Sequence, residues 1–274
     1  MSFTVERDDT SAGLQACAIL HAATVGDNRP TRIQLCGRLA LELEGRELTP
    51  KLPGGQARVL FTYLTVTRAL PSSRDQLIEA LWPYRAPAGA DTALSALLSR
   101  LRTVVGTHVL CGRGEIHLLL PATAWIDLEA AEEAIHRAEA AVAQCDWSRG
   151  WGPSLIAMFT ARRGFLPNED LPWAEEYRQR LDEIHISALE CYAAVALGVG
   201  GSELAPGERT ARNLVKLAPY RERGHALLME IVAARGNGAE ALRIYEQLRQ
   251  RLRDELGATP APELRELQER LLQR

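Results

Sequence analysis

From Arg32 onward, hydrophobic and polar residues alternate at the period of a β-strand. Ile33 and Leu35 flank Gln34, then Leu39, Leu41 and Leu43 alternate with Ala40, Glu42 and Glu44. Gly37-Arg38 and Gly45-Arg46 supply turns, and Leu48 opens a short third strand. After Pro53-Gly54-Gly55 the period changes. Ala57, Leu60, Phe61 and Leu64 fall at i, i+3, i+4 and i+7, the apolar stripe of a helix. Pro71-Ser72-Ser73 breaks that helix, and Ser72 with Asp75 reads as the capping box of a second, short one carrying Leu77, Ile78, Leu81 and Trp82. A Pro/Gly/Ala linker from Pro83 to Gly89 leads to a third helix over 88–105, with Leu94, Leu97, Leu98, Leu101 and Val105 in register. Val109 to Cys111, the turn Gly112-Arg113-Gly114 and Ile116 to Leu120 complete a hairpin. Residues 31–122 therefore run β-β-β-α-α-α-β-β. Three helices and a terminal hairpin make a winged helix-turn-helix, and the leading strands narrow it to the form used by response-regulator effector domains.

Beyond Pro121 the strand period disappears. Helices are predicted at 127–145, 153–163, 171–199, 203–218, 221–234, 238–256 and 260–273. Asn237 with Glu240 and Thr259 with Pro260 read as helix starts, and Pro219 as a stop. Leu197-Gly198, Ala211, Leu214 and Pro219 are echoed by Arg235-Gly236, Ala241, Tyr245 and Leu248, an offset close to the roughly 34 residues of a tetratricopeptide repeat. The fold class expected is an α+β winged helix-turn-helix, residues 31–122, followed by an all-α tetratricopeptide-like helical-hairpin domain, residues 123–274. Residues 1–30 show no period and read as a poorly ordered or loosely docked arm.

Charge supports this division. The chain of 274 residues has a net charge of −3. Residues 31–122 hold 11 Lys and Arg against 7 Asp and Glu, and residues 123–274 hold 19 against 24. A basic head on an acidic body fits DNA binding by one and protein binding by the other. Leu14-Gln15-Ala16-Cys17 has the outline of a lipoprotein box, but acidic and polar residues precede it where a signal peptide needs a basic start and an apolar run. The five cysteines are scattered with no C-x-x-C pair, which argues against disulfides and zinc and for reduced thiols in the cytoplasm.

No catalytic constellation is found. Gly198-Val199-Gly200-Gly201 lacks the Lys of a phosphate loop and reads as a helix stop, and Gly152-Pro153-Ser154 lacks the second Gly of a nucleophile elbow. Glu132, Glu133 and His136 have no second His in metal-ligand register. Arg243, Arg249, Arg251 and Arg253, interleaved with acids, read as an ion-paired face. The informative arrangement is the third helix. Opposite its leucines lie Thr92, Ser95, Ser99 and Arg102, with Arg100 beside them, the short polar and cationic side chains that a major-groove helix presents to bases and phosphates. Arg113 in the wing turn is placed for a phosphate or the minor groove, and Arg74 at the start of the second helix for the DNA backbone.

Gln56 to Leu60, Asp75 to Trp82, Ser99 to Arg102, Pro219 to Glu222, Leu228-Met229, Ala239 to Tyr245 and above all Glu255 to Leu264 resemble the Streptomyces antibiotic regulatory protein family. Those activators join a response-regulator-type winged helix to a bacterial transcriptional activation domain. The resemblance covers residues 31–274. It implies binding of double-stranded DNA at direct repeats overlapping the −35 region and recruitment of RNA polymerase through its sigma factor and other subunits. It implies no cofactor and no enzymatic activity. A dimer, at least on DNA, is the expected assembly. The chain departs from the family where the wing reads Glu115-Ile116-His117-Leu118, and where Ala93, Ala96 and Leu97 leave the third helix short of large polar side chains. The bare helix also fits a competing reading, an adaptor that binds proteins and has lost DNA binding.

Overall fold

A computed structural model describes residues 29–273. The expectations for the N-terminal arm, the Leu14–Cys17 box among them, lie outside these residues up to position 28. The described residues form two compact units. One runs to Asp127 and takes in Phe165–Tyr177 as well, and the other comprises Leu128–Gly164 and Arg178–Arg274.

The first unit opens with β1 (Arg32–Gln34), β2 (Ala40–Leu43) and β3 (Arg46–Glu47). β1 pairs antiparallel with β2 and β2 with β3, while β1 also pairs in parallel with β7 (Trp125–Ile126), giving the order β3-β2-β1-β7. Alternation works as expected, since Ile33, Leu41 and Leu43 are buried. Leu48 starts no strand: it precedes a single 3-10 turn, Thr49–Lys51. The helices follow as α1 (Gln56–Val66), α2 (Arg74–Leu81) and α3 (Ala90–Val105). A two-residue strand β4 (Ser72–Ser73), absent from the sequence expectation, pairs with β6 (Glu115–Leu118), which pairs in turn with β5 (Leu110–Cys111). This pairing moves the cap of α2 by one residue. Ser73, not Ser72, is the N-cap: its hydroxyl accepts from Gln76 N at 3.2 Å and Gln76 Oε1 accepts from Ser73 N at 2.8 Å.

The expected break after residue 122 differs from the observed division because β7 completes the first sheet. Just beyond it Asp127, with no exposed surface, accepts from Leu35 N at 2.7 Å and Cys36 N at 3.1 Å. Phe165–Tyr177 returns to the same unit through contacts that no local pattern encodes. Phe165 bridges Cys36, Trp173 Nε1 donates to Ala80 O at 3.0 Å, and Trp173 meets Tyr63 edge-on at 5.0 Å.

The second unit is helical, in part or whole built from α4 (Asp127–Ala143), α5 (Trp147–Ala161), α6 (Pro172–Val199), α7 (Leu204–Leu217), α8 (Glu222–Ala234), α9 (Gly238–Arg251) and α10 (Pro262–Leu272). α5 begins six residues before the expected Pro153, because Asp146 caps it by accepting from Arg149 N. Asn237 caps α9 without a side-chain hydrogen bond, and a π turn, Leu252–Leu256, ends that stretch. α10 starts at Pro262 rather than Pro260; Glu222 Oε2 accepts from Ala261 N at 2.7 Å and fixes the start. One core joins Ala193 and Ala194, Ala211, Leu227 and Leu228, Ile244 and Leu248, and Leu264 and Leu267 across five helices. Small residues set the spacing. A Cβ on Gly207 would stand 2.5 Å from the Ala196 Cβ, so α6 and α7 approach as they do only because Gly207 is bare.

Candidate nucleic-acid interface

Helical spacing decides which face of α3 is inside. Leu94, Leu98, Leu101 and Val105 are buried, and Thr92, Ser95, Ser99 and Arg100 are exposed. Arg113 sits exposed in the turn between β5 and β6. Gly112 permits that turn: its φ of 89° suits glycine, and a Cβ there would stand 1.8 Å from the Glu115 carbonyl oxygen.

Two arginines of the expected contact set are engaged inside the unit. Arg102 Nε donates to Leu110 O at 3.0 Å and its Nη2 to Gly112 O, so this side chain ties α3 to the wing. Arg74 is a three-way tie. Its Nε donates to Asp91 Oδ1 at 2.7 Å, Nη2 to Asp91 O at 3.0 Å and Ser95 Oγ at 2.8 Å, and Nη1 to Arg113 O at 3.4 Å. The start of α2, the start of α3 and the wing turn are thereby held together. The spacing of residues along the chain does not single out Asp91 or Gly112 O. For Asp91 a signal existed, a carboxylate in the first turn of α3 facing a cation at the first turn of α2.

Burial lowers the Arg102 pKa from the usual arginine range; the Cys111 thiol works against this, and the Arg74 and Arg113 charges add to it. The three guanidinium groups therefore feel one another, with the Asp91 carboxylate paired to Arg74. Arg100 and Arg113 side chains have no hydrogen bond or ion pair among the described residues. The structure thus brings all seven predicted residues to one unit, and divides them. Thr92, Ser99, Arg100 and Arg113 are exposed to solvent, Ser95 is exposed and bonded to Arg74, and Arg74 and Arg102 point into the scaffold.

The other candidates resolve as packing. The Ser154 hydroxyl is buried and donates to Gly150 O at 2.7 Å, Glu132 pairs with Arg180 at 2.9 Å, and Val199 ends α6 before Gly200. Arg249 pairs with Glu246 and Arg253 with Asp254, as the interleaved charges imply. Among the described residues no cluster of potential metal ligands occurs, and no helix is long and apolar enough to cross a membrane.

Comparison with known proteins adds an independent line. The bacterial transcriptional activator domain matches residues 126–272. Regulatory protein AfsR of Streptomyces griseus is 33% identical over 222 residues, covering 79% of this chain and 22% of AfsR. Transcriptional regulatory protein MoaR1 of Mycobacterium tuberculosis is 26% identical over 274 residues, covering 93% of this chain and 82% of MoaR1. The solved structure of Mycobacterium tuberculosis EmbR in complex with a low affinity phosphopeptide superposes with a TM-score of 0.73 at 24% identity, covering 90% of this chain and 66% of that one. At that identity the likeness is one of fold. The chain spans less than a quarter of the length of the AfsR proteins it matches, 22% and 24%.

Proposed function

The chain belongs to the bacterial transcriptional activator domain family, in the Streptomyces antibiotic regulatory protein group of transcriptional regulators, and on that premise we propose that it binds double-stranded DNA through α3 and the wing and recruits RNA polymerase through its helical unit. The observation that carries the DNA half is the arrangement of cations. Arg113 on the wing and Arg100 on α3 stand exposed, beside a polar helix face whose angle to the wing is set by Arg74 and Arg102. A preset helix and wing lose less conformational freedom on DNA than loose ones. In this reading Arg113 and Arg100 meet phosphates, Thr92, Ser95 and Ser99 lie against base edges, and Arg74 and Arg102 act as positioning residues.

For the recruitment half, Trp151, Ile156 and Phe159 are 45%, 46% and 55% exposed on one side of α5. An exposed apolar stripe of this kind marks a protein-binding surface. Polymerase, through its sigma factor, is the partner assigned to it here.

The adaptor reading gains from the same hydrogen bonds, because two of the four arginines are turned inward. One experiment separates the two. The full chain is used to select duplexes from a random-sequence pool, and the best duplex and a scrambled version are titrated by fluorescence anisotropy between about 50 and about 200 mM salt. Selection of a consensus, with affinity falling steeply as salt rises, supports the activator. Recovery of no consensus and no binding at low salt makes the adaptor the correct reading.

A further inference from the structure

The helical unit carries a cavity that transcription regulation leaves unused. A groove of about 560 Å³ opens between α7, α8 and α9, with Val215, Leu228, Ile244 and Leu248 as its apolar wall. That volume falls within the roughly 300–1,000 Å³ typical of small-molecule sites.

Its polar groups are few and specific. Lys216 lines it and has no hydrogen-bond or ion-pair partner among the described residues. Arg251 lines it too, and its carboxylate neighbour Glu255 stands at 3.7 Å while accepting a hydrogen bond from Tyr220. Arg212, by contrast, is matched by Glu208 and Glu240 and has no charge to spare. His225 is 3% exposed and lines the same groove. Its Nε2 lies 3.0 Å from Pro219 O, an acceptor, so Nε2 carries the proton and donates. Nδ1 is then an acceptor, and it has no partner among the described residues. Nearly all buried polar atoms in folded proteins are satisfied, so an orphan beside a groove points to something that brings a donor.

We propose that this groove binds a small amphipathic organic anion. Its apolar body packs on Leu228, Ile244 and Leu248, its carboxylate or sulfonate meets Lys216 and Arg251, and an N–H or O–H group donates to His225 Nδ1. The site stands on the helical unit alone and does not depend on the chain binding DNA.

A probe with all three features is 1-anilinonaphthalene-8-sulfonate, which has two ring systems, a sulfonate and an aniline N–H. Titrated into the full chain and followed by fluorescence, it should saturate at one probe per chain. N-phenyl-1-naphthylamine, the same molecule without the sulfonate, should bind at least about tenfold more weakly, as should the sulfonate probe to a Lys216→Glu, Arg251→Glu double variant. Lys51→Glu in the first unit should leave the affinity unchanged. His225→Phe, which keeps a ring and removes the acceptor, should weaken the sulfonate probe and the neutral analogue alike, since both carry the aniline N–H; if it fails to fold by circular dichroism, the charge variants decide. Non-saturating binding, equal binding of the neutral analogue, or parental affinity in the double variant would overturn the proposal.

Discussion

The two units are held in order by different means. In the first, single polar side chains join segments far apart in the chain: Arg74 reaches 17 residues on to Asp91 and 39 to Arg113, and Asp127 reaches back 92 to Leu35. In the second, one apolar core runs through successive helices, and a bare glycine decides how near two of them come. Long-range ion pairs exist there too, such as Arg221 with Glu190 at 2.6 Å, no more exposed as a pair than Arg74 with Asp91, so the second unit is set apart by its continuous core and not by a lack of such ties. The reason lies in the backbone. Helices satisfy their own N–H and C=O groups and then need only fitting surfaces. A sheet of two- to four-residue strands makes few ladder bonds, so side chains take over part of the tying.

That contrast breaks first at Asp127. Asp127→Ala leaves the buried Leu35 and Cys36 N–H groups without this acceptor, and urea denaturation should show a loss of about 2–6 kcal/mol, at about 1–3 kcal/mol for each orphaned group. A loss below about 1 kcal/mol would mean that the strands, not the carboxylate, hold this corner. In the other unit Gly207→Val should cost about 1–3 kcal/mol by overpacking against Ala196, read from the same denaturation curves. No change there would show that α6 and α7 are free to part. A smaller effect is expected at Arg102→Ala, about 1–2 kcal/mol, because Gly112 O lies at an exposed wing edge where water replaces the lost donor, and only the carbonyl of buried Leu110 loses one. Amide hydrogen exchange should locate that loss in β5 and the wing turn rather than throughout α3.

How far the sequence reveals all this follows the same contrast. Helical periods are local, so α1, α3 and the helices of the second half are legible to within a few residues, except α5, whose Asp146 cap starts it six residues early. Ser72–Ser73 and Trp125–Ile126 are too short to show a period, and they become strands only through partners at Ile116 and Arg32. Phe165–Tyr177 reads as a loop and the start of a helix, and nothing nearby in sequence says that Trp173 reaches Ala80. The site divides in the same way. The exposed face of α3 is set by spacing and is legible. Spacing also puts Arg102 on that face, but its guanidinium extends to Leu110 and Gly112 on another element, and a one-dimensional period cannot show it. The tie through Arg74 is hidden for the same reason.

The central claim is that exposed arginines meet DNA while buried-side arginines hold the head in shape. It is tested most directly by the salt dependence of binding to a selected duplex, compared for the parent, Arg113→Ala and Arg102→Ala. For Arg113→Ala the slope of log affinity against log salt should shrink by about 0.9, the value for one phosphate that the protein no longer neutralises. For Arg102→Ala the affinity should fall with the slope unchanged, because the side chain neutralises no phosphate and its removal loosens the wing. The opposite pattern, a slope reduced by Arg102→Ala and untouched by Arg113→Ala, would contradict the assignment of roles, and a parent chain that binds no duplex would contradict the DNA-binding reading itself.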